Sequence, residues 1–235
     1  MKTLAIDTSS KICSVAILED KKIILEKHSD DERTHSQKLM PIIDSVFKET
    51  KLTLDDIELL ACCQGPGSFT GIRIGISTVK AFADVKNIPI VGITSLESLA
   101  YNIKNNSIIA SIIDAKNTNV YFAMYELKDG KYKQIIEPIA TDIYETIQKI
   151  NSVTQNLPEN RVIAVGDGAI IHQNLLKEKN ENIQIASASE CIQTSVSVGL
   201  AALDKIAQSN YKTEYSVSPI YLKKSQAERN LEEKK

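Results

Sequence analysis

Short apolar runs separated by polar turns predict that the chain opens with three β-strands. The runs cover Thr3–Ile6, Ile12–Leu18 and Lys22–Lys27, and each is too short for a stable helix. An apolar stripe at helical spacing follows, and it predicts a helix over Ser36–Glu49. The next predicted elements are strand Ile57–Cys63, helix Phe69–Val85, strand Pro89–Val91 and helix Ser95–Tyr101.

The second half of the chain repeats this order of elements. Its predicted elements are strands Ile108–Ile113, Val120–Leu127 and Tyr132–Glu137, helix Asp142–Ile150, strand Arg161–Val165, helix Ala169–Lys177, strand Ile183–Ile185 and helix Thr194–Ala207. The first strand of each half ends on the same dipeptide, Ile6-Asp7 and Ile113-Asp114, which indicates a duplication.

The order of elements also predicts the fold class. Three antiparallel strands followed by alternating helices and strands form a mixed sheet covered by helices. Two such units side by side give an α/β chain with the two-lobed actin-like (ASKHA, RNase H-like) fold, a duplicated β-β-β-α-β-α-β-α unit with mixed sheets. We predict a first lobe over residues 1–105, a second over 106–222 and a polar C-terminal tail over 223–235. Whether the last helix packs back on the first lobe stays open.

Composition and charge narrow the class of protein. The 235 residues are 43% apolar and 25% charged, as in an ordinary globular protein. The formal net charge of −2 does not give the basic footprint of a protein that binds nucleic acid by itself. The four cysteines form no CxxC pair and are expected to be buried, reduced thiols. Because we find neither a signal peptide nor a stretch of about 18 apolar residues, we expect a cytoplasmic protein without membrane contact.

A glycine-rich segment, Gly65–Gly75, lies between a predicted buried strand and a helix. A dinucleotide-binding fingerprint would need glycine at Thr70, and a P-loop would need lysine at Ile72. The helix N-terminus still offers N–H groups that suit an anion. Gly71 and Gly75 lie on one helix face, where another element can approach closely. Three interpretations stay open: tight internal packing, a subunit interface and a phosphate contact.

Polar turns after the first strand of each half are candidate nucleotide contacts. In actin-like folds the acid of a turn such as Asp7-Thr8-Ser9-Ser10 holds Mg²⁺, and the hydroxyls face phosphates. The same residues also favour a plain hairpin turn. In the second half Asp114-Ala115-Lys116 lacks a glycine and is interpreted as a plain turn. The candidates are Asp7, Thr8, Ser9, Gly166 and Gly168. We expect no resident cofactor, with ATP or ADP and magnesium as the ligands to consider.

The three histidines do not predict a metal site. His28, His35 and His172 form no HxxxH pair, so we expect no bound metal. His35 begins a helix and is interpreted as a surface or interface residue. No local signature identifies a nucleophile together with its base.

The segment Gly65–Gly75 resembles the signature of the TsaB family, also called YeaZ. Other segments match in the family's order across nearly the whole chain: Ile6-Asp7-Thr8-Ser9, Arg33-Thr34-His35-Ser36, Thr94–Ala100, Ile113-Asp114-Ala115, Gly166-Asp167-Gly168-Ala169 and Pro219–Lys223. The resemblance implies an actin-like subunit needed for N6-threonylcarbamoyladenosine (t6A) at position 37 of tRNAs that read ANN codons. It implies a heterodimer with the catalytic paralogue TsaD, work with the ATPase TsaE, and no chemistry of its own.

The resemblance also allows a check on metal binding. The catalytic paralogue binds a metal through an HxxxH pair, and the matching positions here are Ser95 and Leu99. Since neither side chain replaces an imidazole ligand, the metal site is predicted to be absent.

The first lobe is the predicted partner surface, shared with TsaD or with a second copy of the chain in isolation. Its candidate residues are His35, Leu39, Gly71, Ile72, Gly75 and Ile76. Contact with tRNA is expected only through the complex, because few basic residues cluster. The alternative is an actin-like nucleotide-dependent transferase, phosphohydrolase or peptidase, with Asp7 as its magnesium-binding acid.

Overall fold

Two five-stranded mixed sheets, each covered by helices, form the two lobes. The computed structural model describes residues 1–155, 161–208 and 215–223. The first sheet contains β1 (Lys2–Asp7), β2 (Cys13–Glu19), β3 (Lys22–Ser29), β4 (Leu59–Cys63) and β5 (Ile90–Ile93), in the order β3-β2-β1-β4-β5. β2 is antiparallel to β1 and β3, whereas β4 is parallel to β1 and β5.

Two long helices cover one face of the first sheet. α1 (His35–Thr50) begins after Thr34, whose backbone N–H donates to Gln37 Oε1 at 3.0 Å. α2 (Phe69–Lys86) begins after Ser68, whose hydroxyl accepts a backbone N–H of the first turn. Their buried side includes Leu39, Ile43, Val46, Ile72, Ile76 and Val79. A 3-10 turn (Leu54–Asp56) and α3 (Ser95–Ala100) complete the first half.

The second sheet follows the same plan and confirms the predicted actin-like duplication. Its strands are β6 (Ser107–Asp114), β7 (Asn119–Lys128), β8 (Lys131–Asp142), β9 (Val162–Val165) and β10 (Ile183–Ile185), in the order β10-β9-β6-β7-β8. Its half of the chain also contains α4 (Ile143–Thr154), α5 (Asp167–Ile171), α6 (Gln173–Lys179) and α7 (Ser195–Ala207).

Two elements differ from those predicted. The helix predicted at Ala169–Lys177 is divided into α5 and α6 at His172, where ψ is 15°. β8 continues to Asp142 instead of ending at Glu137, because it pairs with β7 along its whole length. β8 is an edge strand, where Pro138 is tolerated despite its missing N–H.

Each lobe is completed by a helix from the other half of the chain. α7 lies on the first sheet, where Gly199 faces Leu18 so closely that a Cβ atom would overlap that side chain. α3 packs instead on β6 and β7 of the second sheet and touches α7. The last helix therefore does pack back on the first lobe. The boundary between residues 105 and 106 stays a prediction.

The segment 215–223 returns to the glycine-rich end of the first lobe. Ile220 N donates to Gln64 O at 2.9 Å, and Gln64 Nε2 donates to Ser218 O at 2.9 Å. Val217 is buried in the core beneath α1 and α2. We name residues 217–223 the C-terminal strap. Apart from Lys223, the predicted polar tail lies outside the described residues.

Candidate functional site

The glycine-rich segment packs against the turn between β1 and β2 of its own lobe. Ser68 N donates to Ser9 O at 2.7 Å, and Thr8 Oγ1 donates to Gly71 O at 2.8 Å. A Cβ atom on Gly71 would overlap the carbonyl oxygen of Thr8, and one on Gly75 would overlap the Thr8 hydroxyl. The glycines therefore allow α2 to approach the turn closely.

This contact favours one of the three interpretations of the glycine face, tight internal packing. Gly71 and Gly75 are buried against Thr8, so they do not offer a bare helix face to a partner. The N–H of Ser68 is bonded to Ser9 O, and the N–H of Gly71 is bonded to the Ser68 hydroxyl. Both donors are thus used within the chain instead of facing a phosphate.

Three apolar residues predicted as partner contacts also lie inside the lobe. Leu39, Ile72 and Ile76 are at most 4% exposed and belong to the core between the sheet and its two helices. We therefore correct the predicted contact set: a partner on this lobe must meet other side chains of α1 and α2. His35, the first residue of α1, is partly buried, and burial lowers the pKa of its imidazole.

Asp7 ends β1 as an enclosed carboxyl group. Its Oδ1 accepts hydrogen bonds from Ser9 N at 2.8 Å and from Ser9 Oγ at 2.6 Å. Its Oδ2 is buried without a hydrogen-bond partner among the described residues, and burial raises the pKa of the group. Asp7, Thr8 and Ser9 are all nearly fully buried and are bonded to one another or to α2. The arrangement therefore closes the turn, with all three candidate side chains buried.

The candidate glycines of the second lobe have a similar packing role. Asp167 Oδ1 accepts Asp114 N at 2.9 Å and Gly168 N at 2.8 Å, and so joins the end of β6 to the start of α5. Burial raises the pKa of this carboxyl group. Cβ atoms on Gly166 and Gly168 would crowd Ile112 of β6. The two glycines therefore let α5 approach the sheet.

A cavity of about 270 Å³ lies between the two lobes. Its walls include Ser10 and Lys11 of the β1–β2 turn, Asp30, Asp167 and Gln193. The volume is below the roughly 300–1,000 Å³ of pockets that take drug-sized ligands. None of the five candidate nucleotide residues lines this cavity; these are Asp7, Thr8, Ser9, Gly166 and Gly168. The structure therefore does not bring these five residues together around this cavity.

The positions matched to the metal-binding pair of the catalytic paralogue are part of the interior. Ser95 is fully buried, with its hydroxyl 3.0 Å from Cys63 Sγ, and Leu99 belongs to an apolar cluster against the second sheet. Within residues 1–155, 161–208 and 215–223, no group of three His, Cys, Asp or Glu side chains is placed to hold a metal ion.

One group of side chains was missed by the sequence reasoning. Phe69 and Tyr221 stack with ring centroids 4.4 Å apart and an interplanar angle of 5°. Arg73 Nε donates to Tyr221 Oη at 2.7 Å, and its guanidinium carbon lies 5.6 Å from the centroid of that ring. The segment Pro219–Lys223 contributed to the family resemblance, but nothing in its sequence indicated contact with α2. We name Phe69, Arg73 and Tyr221 the arginine clamp.

Comparisons with known proteins find similarity to two tRNA-modification proteins, TsaD and TsaB. The family model described as "TsaD: tRNA N6-adenosine threonylcarbamoyltransferase" matches residues 26–231. The tRNA threonylcarbamoyladenosine biosynthesis protein TsaB of Buchnera aphidicola subsp. Schizaphis graminum is 34% identical over 197 residues, which cover 80% of this chain and 90% of that protein.

Solved structures show the same fold. YeaZ from Pseudomonas aeruginosa superposes with a TM-score of 0.73 at 22% identity, covering 94% of this chain and 99% of that one. The ROK hexokinase from Thermus thermophilus superposes with a TM-score of 0.53 at 10% identity, covering 88% and 99% of the two chains. At these identities the likeness supports the two-lobed fold alone.

Proposed function

Because the chain belongs to the TsaB family of tRNA threonylcarbamoyladenosine biosynthesis proteins, we propose that it is a non-catalytic subunit required for t6A formation at position 37 of tRNAs that read ANN codons. It acts as the heterodimer partner of the catalytic TsaD, together with the ATPase TsaE, and it meets tRNA only within that complex. In isolation it forms a homodimer. It holds no resident metal or nucleotide.

The observation that carries the non-catalytic role is the interior position of Ser95 and Leu99. In the catalytic paralogue two imidazoles bind the metal. Here their positions are held by Ser95, which is hydrogen-bonded to Cys63, and by Leu99, which lies in an apolar core. The turn at Asp7 supports the same conclusion, since Asp7, Thr8 and Ser9 are buried and Asp7 Oδ1 accepts both hydrogen bonds from Ser9. Neither place leaves an open coordination site for chemistry.

The exposed side of α1 and α2 is the proposed partner surface. Met40 of α1 is 49% exposed and Val85 of α2 is 75% exposed, while Ile74 and Phe82 are only partly covered. Exposed apolar side chains on adjacent helices suit a protein interface.

We place the protein in the cytoplasm, where tRNA modification occurs; no helix within the described part of the chain is long and apolar enough to cross a membrane.

Reconstitution tests the proposal. Unmodified tRNA is incubated with TsaD, TsaE and the threonylcarbamoyl-adenylate synthase, with and without this chain, and t6A is measured by mass spectrometry of nucleosides. We expect t6A only when the chain is present. Equal t6A without the chain would overturn the proposed function.

A matched variant separates a structural from a catalytic role. Asp7→Asn retains the oxygen that accepts the two Ser9 hydrogen bonds but removes the acid. We expect full t6A formation with this variant at saturating concentration. A variant that still forms the heterodimer but yields no t6A would instead identify Asp7 as part of the chemistry.

A further inference from the structure

We infer that the contact between α3 and α7 fixes the orientation of the two lobes and keeps the cavity between them closed. The two helices belong to different lobes, since α3 packs on β6 and β7 whereas α7 packs on the first sheet. We name this contact, together with Tyr101 and Asn102 directly after α3, the lobe junction. The inference does not rest on the proposed function, because it concerns movement of the lobes within the isolated chain.

Two charged side chains of α7 bond to the second lobe at this junction. Lys205 Nζ forms an ion pair with Glu97 Oε2 at 2.9 Å, and Tyr101 Oη donates to Asp204 Oδ2 at 3.1 Å. The side chain of Glu97 is only 17% exposed, so its carboxylate is largely removed from water and depends on the ammonium of Lys205. Separation of the helices would break both contacts, which ties their free energies to the position of the lobes.

Asn102 connects the same junction to the wall of the cavity. Its Oδ1 accepts a hydrogen bond from the Ser197 hydroxyl of α7. Its Nδ2 donates to Glu190 O at 2.7 Å and to Ile192 O at 2.8 Å. Cys191 lies between these two residues, lines the cavity of about 270 Å³ and is 6% exposed. One amide side chain therefore holds both α7 and the cavity wall of the second lobe.

The walls of this cavity come from both lobes, so the junction determines how closely the walls approach each other. Ser10, Lys11 and Ile12 belong to the first lobe, while Cys191 follows β10 of the second. Burial raises the pKa of the Cys191 thiol, which keeps it protonated and poorly reactive. Separation of the lobes should bring water to both walls and make this thiol accessible.

The experiment measures how fast iodoacetamide alkylates Cys191 in the full chain, by mass spectrometry of the peptide that contains it. Lys205→Met keeps an apolar side chain but leaves the carboxylate of Glu97 without its cation, so we expect the rate to rise by about tenfold or more. Lys27→Met is the matched control and should react like the parent chain. Lys27 is 33% exposed, against 30% for Lys205, and it pairs with Glu49 inside the first lobe.

Two further variants separate the contributions of the junction. Glu97→Gln combined with Lys205→Met removes both charges, so we expect slower alkylation than with Lys205→Met alone. Ser197→Ala removes one hydroxyl bond across the junction and leaves the bonds from Asn102 Nδ2 to the cavity wall. We expect this variant to raise the rate by about three- to fivefold.

A distance measurement distinguishes movement of the lobes from local opening of the chain around Cys191. Spin labels are placed on cysteines that replace Lys48 of α1 and Glu145 of α4, which are 75% and 52% exposed, in a Cys191→Ser background. Movement of the lobes in Lys205→Met should broaden the distribution of distances between the labels, whereas local opening would leave it unchanged.

Thermal melting shows which variants are folded, and Ser197→Ala supplies the test if Lys205→Met does not fold. Alkylation of Cys191 within twofold of the parent rate, in both folded variants, would overturn the inference. Faster alkylation with an unchanged distance distribution would also overturn it. Neither result depends on whether the chain supports t6A formation, so the proposed function is tested separately.

Discussion

The contact between α2 and the β1–β2 turn makes Gly71→Ala a direct test of internal packing. At an exposed helical position this change would stabilise the helix by ~1 kcal/mol. Here the new methyl group would overlap the carbonyl oxygen of Thr8, a backbone atom that cannot rotate away. Relief of the overlap would shift α2 and weaken the buried bond from Thr8 Oγ1 to Gly71 O.

The expected magnitude follows from these opposing effects. Overpacking of a well-packed interior costs ~1–3 kcal/mol, and loss of a hydrogen bond costs ~1 kcal/mol. The higher helix propensity of alanine offsets ~1 kcal/mol of this loss, so we expect the free energy of unfolding to fall by ~1–3 kcal/mol. For a chain of this size, each kcal/mol lowers Tm by ~2–4 °C, which gives a fall of roughly 2–12 °C.

The assay is thermal and urea unfolding followed by circular dichroism. Ser77→Ala, at an exposed position of the same helix, is the control and should be neutral or slightly stabilising. Gly75→Ala meets the hydroxyl of Thr8, so Thr8→Ala should restore part of its stability. The same second change should not rescue Gly71→Ala, which meets the backbone. A Gly71→Ala protein as stable as the parent would refute the reasoning.

Three further predictions follow from buried polar contacts. Glu26 Oε1 accepts Ser195 Oγ at 3.1 Å and Val196 N at 3.3 Å at the start of α7, so Glu26→Ala should lower the unfolding free energy by ~1–2 kcal/mol in urea titrations. Because burial raises the folded-state pKa of Asp7 above its unfolded value, its ionisation disfavours the folded state as pH rises above about 4. Asp7→Asn should therefore flatten the loss of stability as pH rises from about 4, and an unchanged pH profile would contradict this. Calorimetry with Mg-ATP should detect no binding tighter than about 1 mM, since the side chains of Asp7, Thr8 and Ser9 are buried; micromolar binding abolished by Asp7→Ala would favour an enzyme.

Much of the fold could be predicted because its signals are local. The helix predicted at Ser36–Glu49 occupies His35–Thr50, since an apolar stripe and a polar N-terminal cap mark both its face and its start. The division at His172 could not be predicted, because the apolar residues on both sides continue a helical pattern. The full length of β8 depends on its pairing with β7, which lies outside any local window.

The predicted partner contacts failed for a different physical reason. Periodicity shows that Leu39, Ile72 and Ile76 form apolar faces, but it does not show what covers those faces. The two glycines likewise indicate a close approach without naming the approaching group, which is Thr8, far away in the sequence. The arginine clamp requires the C-terminal strap to return to α2, and only the tertiary structure gives that path.

The exchange of helices between the lobes has a consequence for synthesis of the protein. The face of the first sheet formed by Ala5, Ala61 and Val91 is covered by α7, and Val217 fills the core on its other face. Both α7 and Val217 lie near the C-terminal end of the chain and are synthesised late. The N-terminal half therefore leaves the ribosome with apolar surface still uncovered. The two halves of the duplication therefore cannot mature one after the other. A nascent chain halted near residue 105 should depend on chaperones, because α7 is not yet present to cover the first sheet.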